Sequence, residues 1–110
     1  MLEIITIEEN QSQLLQISGE IDASNSVELD EAMQKAFRSG HKHILVDGEK
    51  LEYISSAGLG VFMSYLEDFK EGNISFKIYG LNTRVFEVFK ILGLDQLIPI
   101  YPDKTAATSA

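Results

Sequence analysis

Short apolar runs alternate along this chain with stretches whose apolar residues recur every three or four positions. Leu2 to Ile7 and Leu14 to Ile17 read as two strands, and the polar stretch Glu9-Asn10-Gln11-Ser12 between them suits a hairpin turn. Gly19-Glu20-Ile21-Asp22 then reads as a loop leading into a first helix. That helix begins near Asn25, whose amide oxygen can cap it, with Glu28 as the reciprocal member of a capping box. Leu29, Ala32, Met33, Ala36 and Phe37 form its apolar face, and Gly40 stands where a left-handed C-terminal cap belongs. His43 to Asp47 is short, continuous and apolar, the mark of a strand covered on both sides.

The next segment, Ser56 to about Lys70, carries Leu59, Phe62, Met63, Leu66 and Phe69 as a buried stripe and is closed by Gly72. Phe76 to Tyr79 reads as a further strand, and Thr83 to Leu92 as a third helix capped by Asn82 and stopped by Gly93. Ile98-Pro99-Ile100-Tyr101 suits a last edge strand, because Pro99 cannot donate to a central ladder. The order of elements predicts an α/β domain, a mixed β-sheet with helices packed on it. One domain over residues 1–102 accounts for the pattern; residues 103–110 lose it and read as a polar C-terminal tail or short terminal helix.

Composition narrows the function. The chain has 110 residues, 45% hydrophobic and 24% charged, enough for a single core. There is no cysteine, which removes disulfides, thiolate metal sites and cysteine nucleophiles and suits a cytoplasmic location. Nine Lys+Arg against seventeen Asp+Glu leave a net charge of −8. Nucleic acid and anionic membrane are therefore poor partners, since both need a basic face. The N-terminal MLEIITIEEN lacks a basic region and does not read as a signal peptide. No apolar run approaches the roughly 18 residues of a membrane span.

The unusual stretch is Leu51 to Phe62, where adjacent hydroxyls, Ser55 and Ser56, precede Ala57-Gly58-Leu59-Gly60 at the opening of a helix. Two glycines in a first helical turn cost roughly 1 kcal/mol each relative to alanine. Small residues there leave room for another molecule's backbone or a phosphate to approach. Ser56 at the N-cap would hold its hydroxyl beside unpaired amides and the positive end of the helix dipole. Enzymatic readings fit poorly. A dinucleotide fingerprint lacks its third glycine, with Met63 in that place, and a phosphate-binding loop lacks its lysine, with Val61-Phe62 standing there. A nucleophilic serine lacks a base: His41 and His43 begin the strand that leads to the serines, on the order of 15 Å away. The remaining choices are ordinary capping and a phosphoacceptor, whose added charge a helix N-terminus tolerates.

Taken together, Gly19-Glu20-Ile21-Asp22, Val46-Asp47, Ile54-Ser55-Ser56-Ala57-Gly58-Leu59-Gly60-Val61 and Phe89-Lys90-Ile91-Leu92-Gly93-Leu94-Asp95 with Ile100-Tyr101 resemble the STAS domain, specifically the stand-alone anti-sigma factor antagonists. The resemblance spans nearly the whole chain. It implies a STAS-like single domain that is no enzyme and needs no cofactor. Unphosphorylated, such a protein binds an anti-sigma factor serine kinase and frees a sigma factor; phosphorylation breaks that complex and a serine phosphatase restores it. The family motif, Asp-Ser-Ser/Thr-Gly-Leu/Ile-Gly, sets its phosphoacceptor on Ser56 when anchored on Gly58. Its aspartate then falls on Ser55 and its second hydroxyl on Ala57. Ser55 thus removes a charge and offers a competing hydroxyl. The resemblance also sets Asp22, Asp47, Ser55, Ser56, Ala57, Gly58 and Gly60 at or near the partner surface, while Leu59 belongs to the buried stripe. Two alternatives share the same domain: a partner-switching regulator of a non-sigma output, and a nucleotide- or lipid-binding module. The absence of Lys and Arg from Leu51 to Glu67 weighs against the second.

Overall fold

In the computed structural model, which describes residues 1–109, strand β1 (Leu2–Glu9) turns back into β2 (Ser12–Ile21) through Asn10 and Gln11, both at positive φ (49° and 67°). Two successive residues in the left-handed region make the turn whose twist matches that of the strands it joins. The chain continues through α1 (Ser26–Arg38), β3 (His43–Ile54), α2 (Ser56–Glu71), β4 (Ser75–Tyr79) and α3 (Thr83–Ile91). A short 3₁₀ turn (Leu94–Gln96), β5 (Ile100–Tyr101) and α4 (Lys104–Ser109) complete it. The sheet order is β1-β2-β3-β4-β5, antiparallel between β1 and β2 and parallel thereafter. The expected mixed sheet with packed helices is therefore present; Lys104–Ser109 of the C-terminal segment form a short helix, and Ala110 lies outside the described residues.

One face of the sheet buries Leu15, Ile17, Ile44, Val46 and Ile78 under Leu29 and Met33 of α1, Phe62 and Phe69 of α2, and Phe89 of α3. Phe62 meets Phe76 and Phe89 at 6.0 and 6.1 Å between ring centroids, and Phe69 meets Phe37 and Phe76 at 5.9 and 5.1 Å. Such tilted pairs each add about 0.5–1.5 kcal/mol beyond their area, and this chain of rings holds α2 between α1 and α3. On the opposite face a smaller cluster of Leu14, Leu45 and Tyr79 packs under Ala107 of α4.

Several expectations need correction. β2 does not give way to a loop at Gly19: it runs to Ile21, with Gly19 at φ 100° and the Glu20 amide donating to the Met1 carbonyl at 3.2 Å. β3 does not stop at Asp47 but continues to Ile54. Its register with β2 shifts twice, so that three residues of β3 span two of β2 between Asp47 and Lys50, and two span one between Leu51 and Tyr53. These bulges break the alternation that would have revealed the strand. The capping box does not form, because Asn25 turns back to accept from the Asp22 amide (2.9 Å) and donate to the Glu20 carbonyl (3.0 Å). In α2 the buried stripe contains Tyr65 instead of Met63. The Tyr65 hydroxyl donates to Asp30 Oδ1 at 2.8 Å, which lets the ring go inside with its polar end satisfied, and Leu66 is only half-buried. Gly72 does close α2, as its C-cap, and the left-handed residue that follows it is Asn73 (φ 54°). Gly40 and Gly93 do take positive φ after their helices, and Asn82 caps α3 as expected.

Candidate functional site

Parallel strands β2 and β3 end together, with Ile21 paired to Ile54, and the Ser55 amide donates to the Ile21 carbonyl at 2.8 Å. This one bond joins the two exits, so Asp22 and the serine pair, far apart in sequence, become neighbours. From there the chain enters α2 at once: Ser55 is extended (φ −90°, ψ 173°) and its carbonyl accepts the first helical bond, from Leu59, at 3.0 Å. The N-cap is therefore Ser55, and Ser56 is the first helical residue, one position later than expected.

The two hydroxyls differ. Ser55 Oγ is buried and has no hydrogen-bond partner, and no side chain among the described residues caps α2. Ser56 is exposed. No acidic residue lies in the first turn of α2, so the positive end of its dipole meets no carboxylate of its own helix.

The glycines also divide. A methyl group at Gly58 would lie 2.6 Å from Ile21 Cγ2 and 2.8 Å from Ile54 Cγ1, so this glycine lets the first turn of α2 sit on the paired strand ends. That corrects the expectation that both glycines keep the helix entrance open. At Gly60, which is exposed, a methyl group would meet nothing within 4 Å. Ala57 is half-buried and Leu59 is core.

Asp22 sits in a tight turn. Its carboxylate accepts from the Ser24 hydroxyl at 2.5 Å and the Ser24 amide at 2.9 Å, and these bonds hold it below the ordinary aspartate range. Asp47 is placed elsewhere. It lies within β3, paired with Gln16 and Tyr79, on the face turned away from α2, and Oδ1 accepts from the Glu49 amide at 2.9 Å. Burial, then the neighbouring Asp47 charge, pushes the Tyr79 phenol above its ordinary range. The structure thus brings together Asp22, Ser55, Ser56, Ala57, Gly58 and Gly60, and sets Asp47 apart.

The histidines stand at the far end of β3, a longer separation than the one expected from a five-residue strand. His41 Nε2 lies 3.1 Å from Glu8, and its Nδ1 lies 2.9 Å from the Ser39 hydroxyl. Among the described residues, no cluster of three or more His, Cys, Asp or Glu could hold a metal ion, and no helix is long and apolar enough to cross a membrane.

Two exposed apolar residues near this end escaped the sequence reading. Met63 (48% exposed) follows Ser56 and Gly60 at helical spacing on the outer face of α2, and Tyr53 (45% exposed) is the last but one residue of β3, opposite Glu20. The missed signal for Met63 was its position one step round the helix from Phe62. Tyr53 carries none, because the bulges break the alternation of the strand around it.

Comparison with known proteins gives a consistent result. The chain is 28% identical over 99 residues to the anti-sigma-B factor antagonist of Staphylococcus aureus, covering 90% of this chain and 92% of that one. Its fold matches the crystal structure of an anti-sigma factor antagonist from Mycobacterium paratuberculosis with a TM-score of 0.91 at 19% identity, covering 99% and 92% of the two chains. The Bacillus cell fate determinant SpoIIAA in its phosphorylated form matches with a TM-score of 0.71 at 14% identity, covering 99% and 98%. The family model for the STAS domain matches residues 4–107. With nearly all of its length matched and its strands and helices in the arrangement of those neighbours, the chain belongs to the STAS domain family.

Proposed function

We propose that this protein is an anti-sigma factor antagonist that binds an anti-sigma factor serine kinase while Ser56 is free and releases it when Ser56 is phosphorylated. A serine phosphatase returns it to the binding state, and the whole cycle runs in the cytoplasm. The single observation that carries this reading is the inequality of the two hydroxyls: Ser56 exposed on the first turn of an uncapped helix, Ser55 Oγ buried.

The chemistry follows from that position. A phosphoserine carries about −1.5 to −2 charges and three acceptor oxygens. At Ser56 it faces the positive end of α2, where no side chain competes. The fold therefore accommodates the dianion, while a partner surface resting on Ser56, Gly60 and Asp22 meets a bulky charge it must desolvate. Asp22, already ionised and held by Ser24, adds a second negative charge on the same rim. Phosphoryl transfer itself is the kinase's work, so this chain acts as substrate and ligand.

Incubation with a cognate anti-sigma kinase and Mg-ATP should add one phosphate, mapped by fragmentation to Ser56. Ser56→Ala should bind the kinase in the presence of ATP without being released, and Ser56→Asp should bind at least tenfold more weakly than the unmodified protein. Phosphate found on Ser55, or on neither serine, would refute the assignment.

A further inference from the structure

The two outer edges of the sheet are unequal. β5 has two residues and stands between Pro99 and Pro102, neither of which can donate to another strand. β1 has eight residues and no proline, and among the described residues it pairs only with β2. The two-residue turn makes Glu9 and Ser12 a hydrogen-bonded pair, so Ile7, Ile5 and Glu3 direct their backbone groups toward β2. The bond from the Glu20 amide to the Met1 carbonyl continues that odd-numbered series. By alternation Leu2, Ile4, Thr6 and Glu8 turn their N–H and C=O groups outward, a template for another strand.

We propose that a second copy of this chain occupies this edge, pairing β1 antiparallel with β1 about a two-fold axis through Ile5 and joining the two sheets into one. The register follows from charge. Outward-facing residues must pair with outward-facing residues, so the axis passes through a residue and not between two. Centred on Ile5, Ile4 meets the partner's Thr6, Glu3 meets the partner's Ile7, and Leu2 meets the partner's Glu8, with no like charges directly opposed. Centring on Thr6 instead sets Glu3 against the partner's Glu9 twice. Centring on Ile4 leaves Glu8 and Glu9 beyond the partner strand. The favoured register also covers Ile5, an apolar side chain 44% exposed on the open face of the sheet.

The helix above the edge agrees. Ile4 and Thr6 of β1, with Glu28, Glu31, Ala32 and Lys35 of α1, line a groove of about 270 Å³ along the edge. A two-fold axis through Ile5 runs this helix antiparallel to its copy across the groove. The midpoint of Glu28 and Lys35 falls between Glu31 and Ala32, beside the axis. Each Glu28 then faces the partner's Lys35, giving two opposite-charge pairs. The edge is therefore complementary to itself in backbone and apolar groups, and the two Glu28–Lys35 pairs oppose the repulsion of the two Glu31 carboxylates that approach beside the axis. The interface is small, so the association is a weak one, with dimer accumulating between about 10 µM and 1 mM.

This surface goes beyond the phosphorylation reading and needs no kinase to test. Sedimentation equilibrium of the unmodified protein over that range should show monomer and dimer. Thr6→Pro removes an outward donor while keeping the β1–β2 ladder and should abolish the dimer; so should Ile5→Lys. Glu28→Lys alone and Lys35→Glu alone should each weaken association at least fivefold, and the two together should restore it. Circular dichroism confirms that each variant is folded. A protein that stays monomeric to 1 mM overturns the proposal, and so does a dimer that survives Thr6→Pro or a charge swap that fails to rescue.

Discussion

A methyl group 2.6 Å from Ile21 Cγ2 and 2.8 Å from Ile54 Cγ1 cannot be absorbed at Gly58 without displacing these two buried side chains or the first turn of α2. Overpacking of this kind costs about 1–3 kcal/mol, more than the roughly 1 kcal/mol of helix propensity that alanine returns. Gly58→Ala should therefore lower stability in urea unfolding. Gly60→Ala should do the reverse, raising stability by about 0.5–1 kcal/mol, since nothing lies within 4 Å of the added carbon. The same variant should weaken kinase binding if Gly60 is kept small for a partner's approach. Equal effects at the two positions would contradict this division. In the sequence the two glycines carry the same information, because the distinction depends on which atoms of β2 and β3 lie beneath them. The serine pair behaves alike: two adjacent hydroxyls are legible, but only the folded chain distinguishes the buried Ser55 Oγ from the exposed Ser56.

Elements with one clear period were readable, and the one with a broken period was not. The helices announced themselves by three- and four-residue spacing, and α3 by its cap at Asn82. β3 was cut short because Gly48-Glu49-Lys50 looks like turn material, although two bulges carry the strand past it to Ile54. That extension gives Asn82 a second task that its capping role does not reveal. Its Oδ1 accepts from the Val85 amide at 2.8 Å, and its Nδ2 donates to the Leu51 carbonyl at 3.1 Å, pinning the start of α3 to the bulged end of β3. Loss of a cap costs about 1 kcal/mol, and a half-buried carbonyl left without its donor adds about 1–2 kcal/mol. Asn82→Ala should thus destabilise by about 2–3 kcal/mol in chemical unfolding. Asn82→Asp keeps the acceptor and loses the donor, so it should lie between the two. If Asp matched Ala, the cap would contribute nothing and the tie to β3 everything.

At the scale of the molecule, the alternation of strand and helix was enough to give the class of fold, since only a layered sheet buries that many apolar faces in 110 residues. What the pattern could not give is the geometry at the sheet's exit, where the switch is proposed, and that geometry decides how phosphorylation acts. A dianion at Ser56 changes the formal net charge from −8 to about −10. Against that stands the favourable interaction with the end of α2, about 0.3–1 kcal/mol for an anion at an exposed helix N-terminus. Repulsion from distant carboxylates is screened beyond roughly 8 Å at physiological salt, leaving those at the strand exits, Asp22 among them, as the local opponents. The two local effects are comparable and opposite, so their sum is well under 1 kcal/mol. For a domain of this size 1 kcal/mol corresponds to about 4–8 °C. The phosphorylated and free proteins should therefore melt within about 5 °C of each other in differential scanning calorimetry, while kinase binding falls at least tenfold. A drop of 10 °C or more would mean that the phosphate loosens the junction of β2, β3 and α2, and that release of the partner follows from lost structure and not from a blocked surface.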